Sequence, residues 1–214
     1  MTDTIDTPGY QETLQRSFKA LYDSGRDSWT TEEAMQHLVP LLHDGLGEPG
    51  RVLEVGVGRG RDTETLLGLG HRVVAVDLVR LPEWDEVAAR WSEQVRFVAG
   101  DVRDLADDER FDAVLDNGVL HHQLPQDYPA YLATLRRQLR PGGLLAVSLF
   151  ARAEEESEGK LHEAHDGRLS REFTAEEADT LLAESGFAVV STRRVQRGRP
   201  DWTYLLVLAR SQEN

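Results

Sequence analysis

The stretch RVLEVGVGRGRDTETLLGLGHRVVAVD, Arg51–Asp77, decides how the rest of the chain is read. An apolar run (Val52, Leu53, Val55) ends in glycines at alternate positions, Gly56, Gly58 and Gly60. A short helical pattern follows, then a β-branched run (Val73, Val74, Val76) closed by a carboxylate, Asp77. Strand, glycine turn, helix and second strand in this order build a parallel sheet with a ligand crevice at the strand ends. Asp77 falls about 20 positions beyond the first glycine, where a carboxylate can accept hydrogen bonds from a ribose diol. A nucleoside-containing cofactor is the expectation, set against a glycine turn kept for packing alone.

Glycine spacing separates the possible cofactors. Dinucleotide enzymes use G-x-G-x-x-G, whose third glycine lets the helix pack close to the strand while its N-terminus faces a pyrophosphate. Counted from Gly56, that third position is Arg61; the chain instead reads E-x-G-x-G-x-G from Glu54. A carboxylate at the head of the turn repels a pyrophosphate and suits a cation. S-adenosyl-L-methionine carries a sulfonium and an ammonium and no phosphate, so it fits this turn better.

Over roughly residues 30–210 the chain resembles the class I S-adenosylmethionine-dependent methyltransferases. The matching pieces are VLEVGVGRG, the strand end VAVD, VRFVAGDVRDL (Val95–Leu105), FDAVLDNGVLHH (Phe111–His122) and LRPGGLLAVSLF (Leu139–Phe150). Within that superfamily, GRGRDT and the D-x-G-x-x-H-H pattern are most similar to a small-molecule branch that includes thiopurine and other thiol methyltransferases. The resemblance implies an α/β fold, a Rossmann-like, doubly wound, seven-stranded sheet, mostly parallel with the last strand antiparallel.

Composition bounds the partners. A chain of 214 residues, 40% of them hydrophobic, buries one sizeable core, and the motifs span nearly all of it, so 1–214 reads as a single domain. Net charge is −14 and no Lys/Arg-rich run of the kind that neutralises phosphates is present, which argues against a nucleic-acid substrate. The short run RRVQRGR (Arg193–Arg199) reads as a solvated hairpin. The absence of cysteine removes disulfides, thiolate metal sites and cysteine nucleophiles. With no leader pattern and no run of about 20 apolar residues, a soluble, cytoplasmic protein with no membrane partner is expected.

The coarse organisation follows from periodicity and caps. Residues 1–9 read as loose, and Gln11–Tyr22 carries apolar residues at helical spacing. Thr30 with Glu33 forms a capping-box pattern, predicting a helix to about Asp44 and a helical cover over 1–45. Strands are expected near 51–56, 72–77, 95–99, 111–116 and 144–150, and helices over Asp127–Leu139 and from Thr174 to about Glu184. A final antiparallel pair, about 187–195 and 202–209, is joined by the turn Arg197–Pro200. The charged stretch Ala151–Arg171 has no clean period, so it reads as a lid over the ligand edge or as a solvated loop.

For the site, Glu54 and the backbone around Gly56 are expected to face the methionine part, and Asp77 the ribose. Leu78 would cover an adenine face. Asp101 matches the family position that accepts from the adenine amino group, with the Val102 backbone beside it; the bland reading of Asp101 is a turn-forming aspartate. The resemblance implies that Asp116 and Asn117 contact the methionine ammonium, while Asp112 reads as structural. His121 and His122 are the acceptor-side pair, either as a general base or as groups that shape the pocket. Phe18, Tyr22 and Trp29 either cover a small organic acceptor or dock the first helix. His162 and His165 have a spacing that could bind metal on one helical turn, yet no further ligands accompany them, so a solvated loop is the default and no metal is expected.

Three functions compete at this point. The first is transfer of a methyl group to O, N or S of a small molecule. The second is an NAD(P)-dependent oxidoreductase, against which Arg61 and the lack of a Tyr-x-x-x-Lys set both count. The third is a repurposed S-adenosylmethionine-binding protein that methylates nothing.

Overall fold

The computed structural model describes residues 7–106, 109–153, 156, 158–198 and 202–212. In chain order the elements are α1 (Thr7–Asp23), α2 (Leu38–Leu46), β1 (Arg51–Val55), α3 (Arg61–Gly68), β2 (Arg72–Asp77), α4 (Glu83–Arg90), β3 (Val95–Ala99) and β4 (Phe111–Asn117). There follow α5 (Tyr128–Gln138), β5 (Leu139–Ala151), β6 (Lys160–Glu163), β7 (Leu169–Phe173), α6 (Ala175–Glu184), β8 (Phe187–Gln196) and β9 (Thr203–Ser211).

The central strands run β3-β2-β1-β4-β5, all parallel. β9 lies antiparallel along β5, and β8 is antiparallel to β9. These seven strands form the expected doubly wound core of the sheet. Its strands are apolar on both faces because helices cover both. Leu53, Val74, Val114, Leu145 and Val207 point into the layer held by α5 and α6. Their neighbours Val52, Val73, Ala113, Leu144 and Leu206 point into the layer held by α2, α3 and α4. The period of two along each strand thus supplies two cores at once.

Three expectations are corrected. The first concerns 151–171, read as a structureless stretch. It contains the β6–β7 hairpin, in which Lys160 pairs with Glu172 and Glu163 with Leu169, so the sheet has nine strands among the described residues. β4 pairs with β5 only as far as Ser148; β7 pairs with β5 at Phe150 and Ala151. Of the acidic residues in that stretch, Glu154 and Glu155 lie outside the described residues.

The second correction concerns the helix predicted from Thr30. Two 3-10 turns, Ser28–Thr31 and Glu33–His37, precede α2. The Thr30 hydroxyl donates to Asp27 at 2.7 Å and so caps nothing, and Glu32 is extended. Beginning the helix at Leu38 also places Pro40 in the first turn, where its missing N–H costs nothing; a helix begun near Thr31 would carry it in the interior. By contrast, the Thr174–Glu177 capping box at α6 is fully formed.

The third concerns His162 and His165, read by default as part of a solvated loop. His162 stands on β6 and approaches Glu172 at 3.3 Å, and no group of three or more metal-ligating side chains gathers among the described residues. The loose segment predicted for 1–9 lies outside the described residues over 1–6, and α1 already begins at Thr7. The tip of the Arg197–Pro200 turn falls at undescribed positions. No helix among the described residues is long and apolar enough to cross a membrane.

Candidate active site

The site opens at the C-terminal ends of β1, β2 and β4, where the chain order reverses across the sheet and leaves a crevice. About 1210 Å³ of empty space lies within it, a figure that includes open solvent at its mouth.

The glycine turn builds one wall. Gly56, Gly58 and Gly60 have φ of 82°, 53° and 87°, a left-handed path that side chains oppose. At Gly56 the restriction is also steric, since a Cβ there would stand 2.3 Å from Cγ2 of Val119. The turn is bound to the strand beside it. Gly58 N donates to Asp77 Oδ2 at 2.9 Å and Val79 N donates to Oδ1 at 2.9 Å. Burial raises the Asp77 carboxyl pKa and the backbone donors oppose that rise.

The other predicted cofactor residues separate into two sets. Leu78, Asp101, Val102 and Asn117 line the cavity together with Asp77, Gly56 and Gly58, whereas Gly60, also predicted to face the cofactor, does not line it and instead precedes α3 in a left-handed conformation. Asp101 also serves its own turn, accepting from Arg103 N at 2.9 Å and pairing with the Arg103 guanidinium at 2.6 Å. Asn117 donates from Nδ2 to Asp62 at 2.6 Å and to the Met35 carbonyl at 2.9 Å. Glu54 and Asp116 stand behind the wall. Glu54 is 1% exposed and accepts from the Thr63 hydroxyl at 2.5 Å; burial, followed by repulsion from Asp62, pushes its carboxyl well above the usual range. Asp116, fully buried, accepts from Val119 N at 2.7 Å, Leu120 N at 3.1 Å and Tyr131 Oη at 2.9 Å. Burial pushes Asp116 up to about 6. Its carboxylate shapes the turn that carries Val119 toward Gly56, and Asp116 is not among the residues that line the cavity.

Sequence reasoning assigned no role to Asp62, Arg59 or Arg197, all of which line the cavity. Asp62 pairs with Arg61 at 2.8 Å, and Arg61 also donates to the Trp29 carbonyl at 3.0 Å, so the residue that breaks the dinucleotide pattern anchors the N-terminal cover. Arg59 does the same through Asp27 at 2.7 Å and the Tyr22 carbonyl at 3.1 Å. The RDT that follows the glycines was the available signal, because a carboxylate in a helix's first turn beside such a loop points at the ligand space.

The acceptor end is aromatic. Phe18 and Tyr22 meet Trp29 edge-on at 5.6 and 5.5 Å, and all three line the cavity while also docking α1. His121 stacks on Phe150 with centroids 3.9 Å apart, and Phe150 stacks in turn on Tyr204 at 5.5 Å. His122 Nδ1 donates to the Leu169 carbonyl at 2.7 Å, leaving Nε2 unprotonated in the neutral ring. His121 Nδ1 is buried with no hydrogen-bond partner. Burial, with Arg168 adding, pulls His122 down to about 3; burial, then His122, holds His121 well below the ordinary range. Both rings are therefore neutral near pH 7. Arg197, read from sequence as part of a solvated hairpin, folds inward over Phe150 and Tyr204 at 4.7 Å from each ring centre.

The donor set suits S-adenosylmethionine. Carboxylates (Asp62, Asp77, Asp101) cluster at the glycine end, the glycine cradle has no space for added Cβ atoms at Gly56, and nearby guanidinium groups are already paired. A dinucleotide would set its pyrophosphate against those carboxylates.

Comparison with known proteins agrees. Residues 27–192 match the methyltransferase-domain family. The chain is 44% identical to the Burkholderia thailandensis 1,6-didemethyltoxoflavin-N1-methyltransferase, solved with 1,6-didemethyltoxoflavin and S-adenosylhomocysteine. That match has a TM-score of 0.94 and covers 100% of this chain and 93% of the other. Malonyl-(acyl-carrier protein) O-methyltransferase of Xylella fastidiosa is 35% identical over 145 residues, 64% of this chain and 48% of that protein. Ubiquinone biosynthesis O-methyltransferase of Xanthomonas oryzae pv. oryzae is 39% identical over 108 residues, 48% of this chain and 44% of that protein. These matches span less than half the length of each of the two curated relatives. The 4+2 cyclase SpnF shares the fold at a TM-score of 0.68 and 18% identity. The chain belongs to the class I S-adenosylmethionine-dependent methyltransferases.

Proposed function

We propose that this protein methylates a ring nitrogen of a small, planar heterocycle. The observation that carries this reading is the aromatic lining of the acceptor end, where Phe18, Trp29, His121, Phe150 and Tyr204 all border the cavity and suit a flat ring. It agrees with the substrate bound by the full-length structural relative, 1,6-didemethyltoxoflavin. The two curated relatives named above are O-methyltransferases, and an oxygen acceptor on a similar ring is the second reading.

In this reading Asp77 accepts from the ribose diol, Leu78 and Val102 flank the adenine, and Asp62 with Asn117 meets the ammonium end. Asp101 reaches the adenine amino group by sharing the carboxylate that Arg103 already holds. A bound sulfonium supplies a methyl group with its leaving group installed, so the protein's work is alignment of the acceptor. His121 and His122 shape and orient the acceptor slot. Turnover of labelled methyl groups into 1,6-didemethyltoxoflavin, set beside a panel of phenols, thiols and amines, tests the reading; label in a phenol or thiol with none in the heterocycle refutes it.

A further inference from the structure

The cavity is electrically polarised along its length. Carboxylates gather at the glycine end, while the acceptor end presents a guanidinium. The cationic groups near the turn are neutralised at short range: Arg59 by Asp27 at 2.7 Å, Arg61 by Asp62 at 2.8 Å, Arg103 by Asp101 at 2.6 Å. Arg197 differs. Its carboxylate neighbour, Glu32, stands 3.9 Å from Nε, beyond hydrogen-bond range, and Glu32 Oε1 already accepts from Gly198 N at 3.1 Å. Arg197 Nε is buried without a hydrogen-bond partner, an expensive state for a charged donor. The guanidinium lies against Phe150 (4.7 Å), Trp202 (4.6 Å) and Tyr204 (4.7 Å), rings that hold its plane without using its hydrogen-bonding edge.

The geometry points to Arg197 as the group that binds the acceptor in its anionic form, through an oxygen or nitrogen of a heterocycle that has lost a ring N–H proton. This rests on the heterocycle reading above and deepens it. The acceptor's proton leaves to solvent on binding. The ring-nitrogen lone pair then forms the N–C bond as the C–S bond breaks, the bonding pair leaves with sulfur, and the anionic and sulfonium charges cancel. No protein base is consumed, which agrees with two buried histidines that are poor proton acceptors because burial disfavours their protonated form. Among the described residues, the groups facing Arg197 are Glu32 from the N-terminal turns, Phe150 from β5, Tyr204 from β9 and Trp202 just before it; its charge, with that of Arg168, is felt at His121. None of these opposes an anion except Glu32.

The test is the ultraviolet spectrum of 1,6-didemethyltoxoflavin, and of lumazine as a second ionisable bicyclic probe, titrated with pH in the presence of protein and S-adenosylhomocysteine. The bound ring should ionise about tenfold to a hundredfold more readily than the free ring. Arg197→Gln should abolish that difference and weaken acceptor binding about 10- to 100-fold, with Arg197→Lys between the two and S-adenosylhomocysteine affinity unchanged in both. A bound acceptor that keeps the neutral spectrum, or one ionised equally in Arg197→Gln, overturns the role of Arg197 while leaving heterocycle methylation standing. If the wild-type protein binds S-adenosylhomocysteine but neither binds nor methylates either probe, the heterocycle reading falls and this inference with it.

Discussion

Gly58 and Asp77 are joined across two strand ends by one hydrogen bond, the Gly58 amide to Asp77 Oδ2 at 2.9 Å. It locks the glycine turn to the carboxylate that closes β2, so the cradle and the expected ribose acceptor form one rigid unit. Asp77→Ala removes both that tie and the charge-assisted bonds to the diol. Binding of S-adenosylhomocysteine, measured by calorimetry, should weaken by about 10- to 100-fold, or roughly 1.5–3 kcal/mol. Unchanged affinity in a folded variant would place the ribose elsewhere.

Gly56→Ala tests the turn itself. The φ of 82° and the 2.3 Å approach to Val119 together oppose any side chain. Left-handed strain of about 1–3 kcal/mol corresponds to a melting temperature roughly 2–12 °C lower for a domain of this size. Displacement of Val119 should also weaken cofactor binding. A wild-type melt and wild-type affinity would show that the turn relaxes without cost.

Tyr10 ties α1 to the β6–β7 hairpin and to the histidine turn at once. Its hydroxyl donates to the His122 carbonyl at 2.8 Å and accepts from Leu169 N at 2.9 Å. Tyr10→Phe strands both buried backbone groups and should cost about 1–3 kcal/mol in urea denaturation. A loss well under 1 kcal/mol would mean that water replaces the hydroxyl.

Stability should depend on pH through the buried histidines. His122 is pulled to about 3 when folded and titrates near 6.5 when unfolded, so its contribution is complete above pH 6.5. As pH falls from 6.5 toward 3, the unfolded chain takes up a proton that the folded chain refuses, and stability is lost. Asp116, raised to about 6, acts in the opposite sense: its contribution is present below about 3.8 and lost as pH rises through 6. Denaturation curves from pH 4 to 8 should therefore steepen in their acid dependence for Asp116→Asn and flatten for His122→Asn. Identical pH dependence in both variants and the wild type would remove these groups as its source.

Much of this architecture is legible in the chain because the signals are local and periodic. VLEV and VVAV announce doubly covered strands, and Thr174 with Glu177 announces the α6 cap. The β6–β7 hairpin is not legible, since its strands are polar and held by partners distant in sequence, such as Ser17 to Asp166 at 2.6 Å and Tyr10 to Leu169. The Thr30 box misleads because Asp27 takes the hydroxyl and Pro40 sets where the helix can start. The site shows the same division. Asp77 and the glycines follow from spacing, whereas Arg197 is a basic residue in a basic run until the fold turns it over Phe150.

The central claim is methyl transfer to a planar heterocycle, and incorporation of labelled methyl from S-adenosylmethionine into 1,6-didemethyltoxoflavin tests it most directly. Wild-type protein should transfer label to a ring nitrogen, with His121→Asn raising the acceptor KM while lowering kcat by far less than the about 10²–10⁴-fold expected for loss of a general base. Absence of label in any ring acceptor, from protein that binds S-adenosylhomocysteine, would contradict the account.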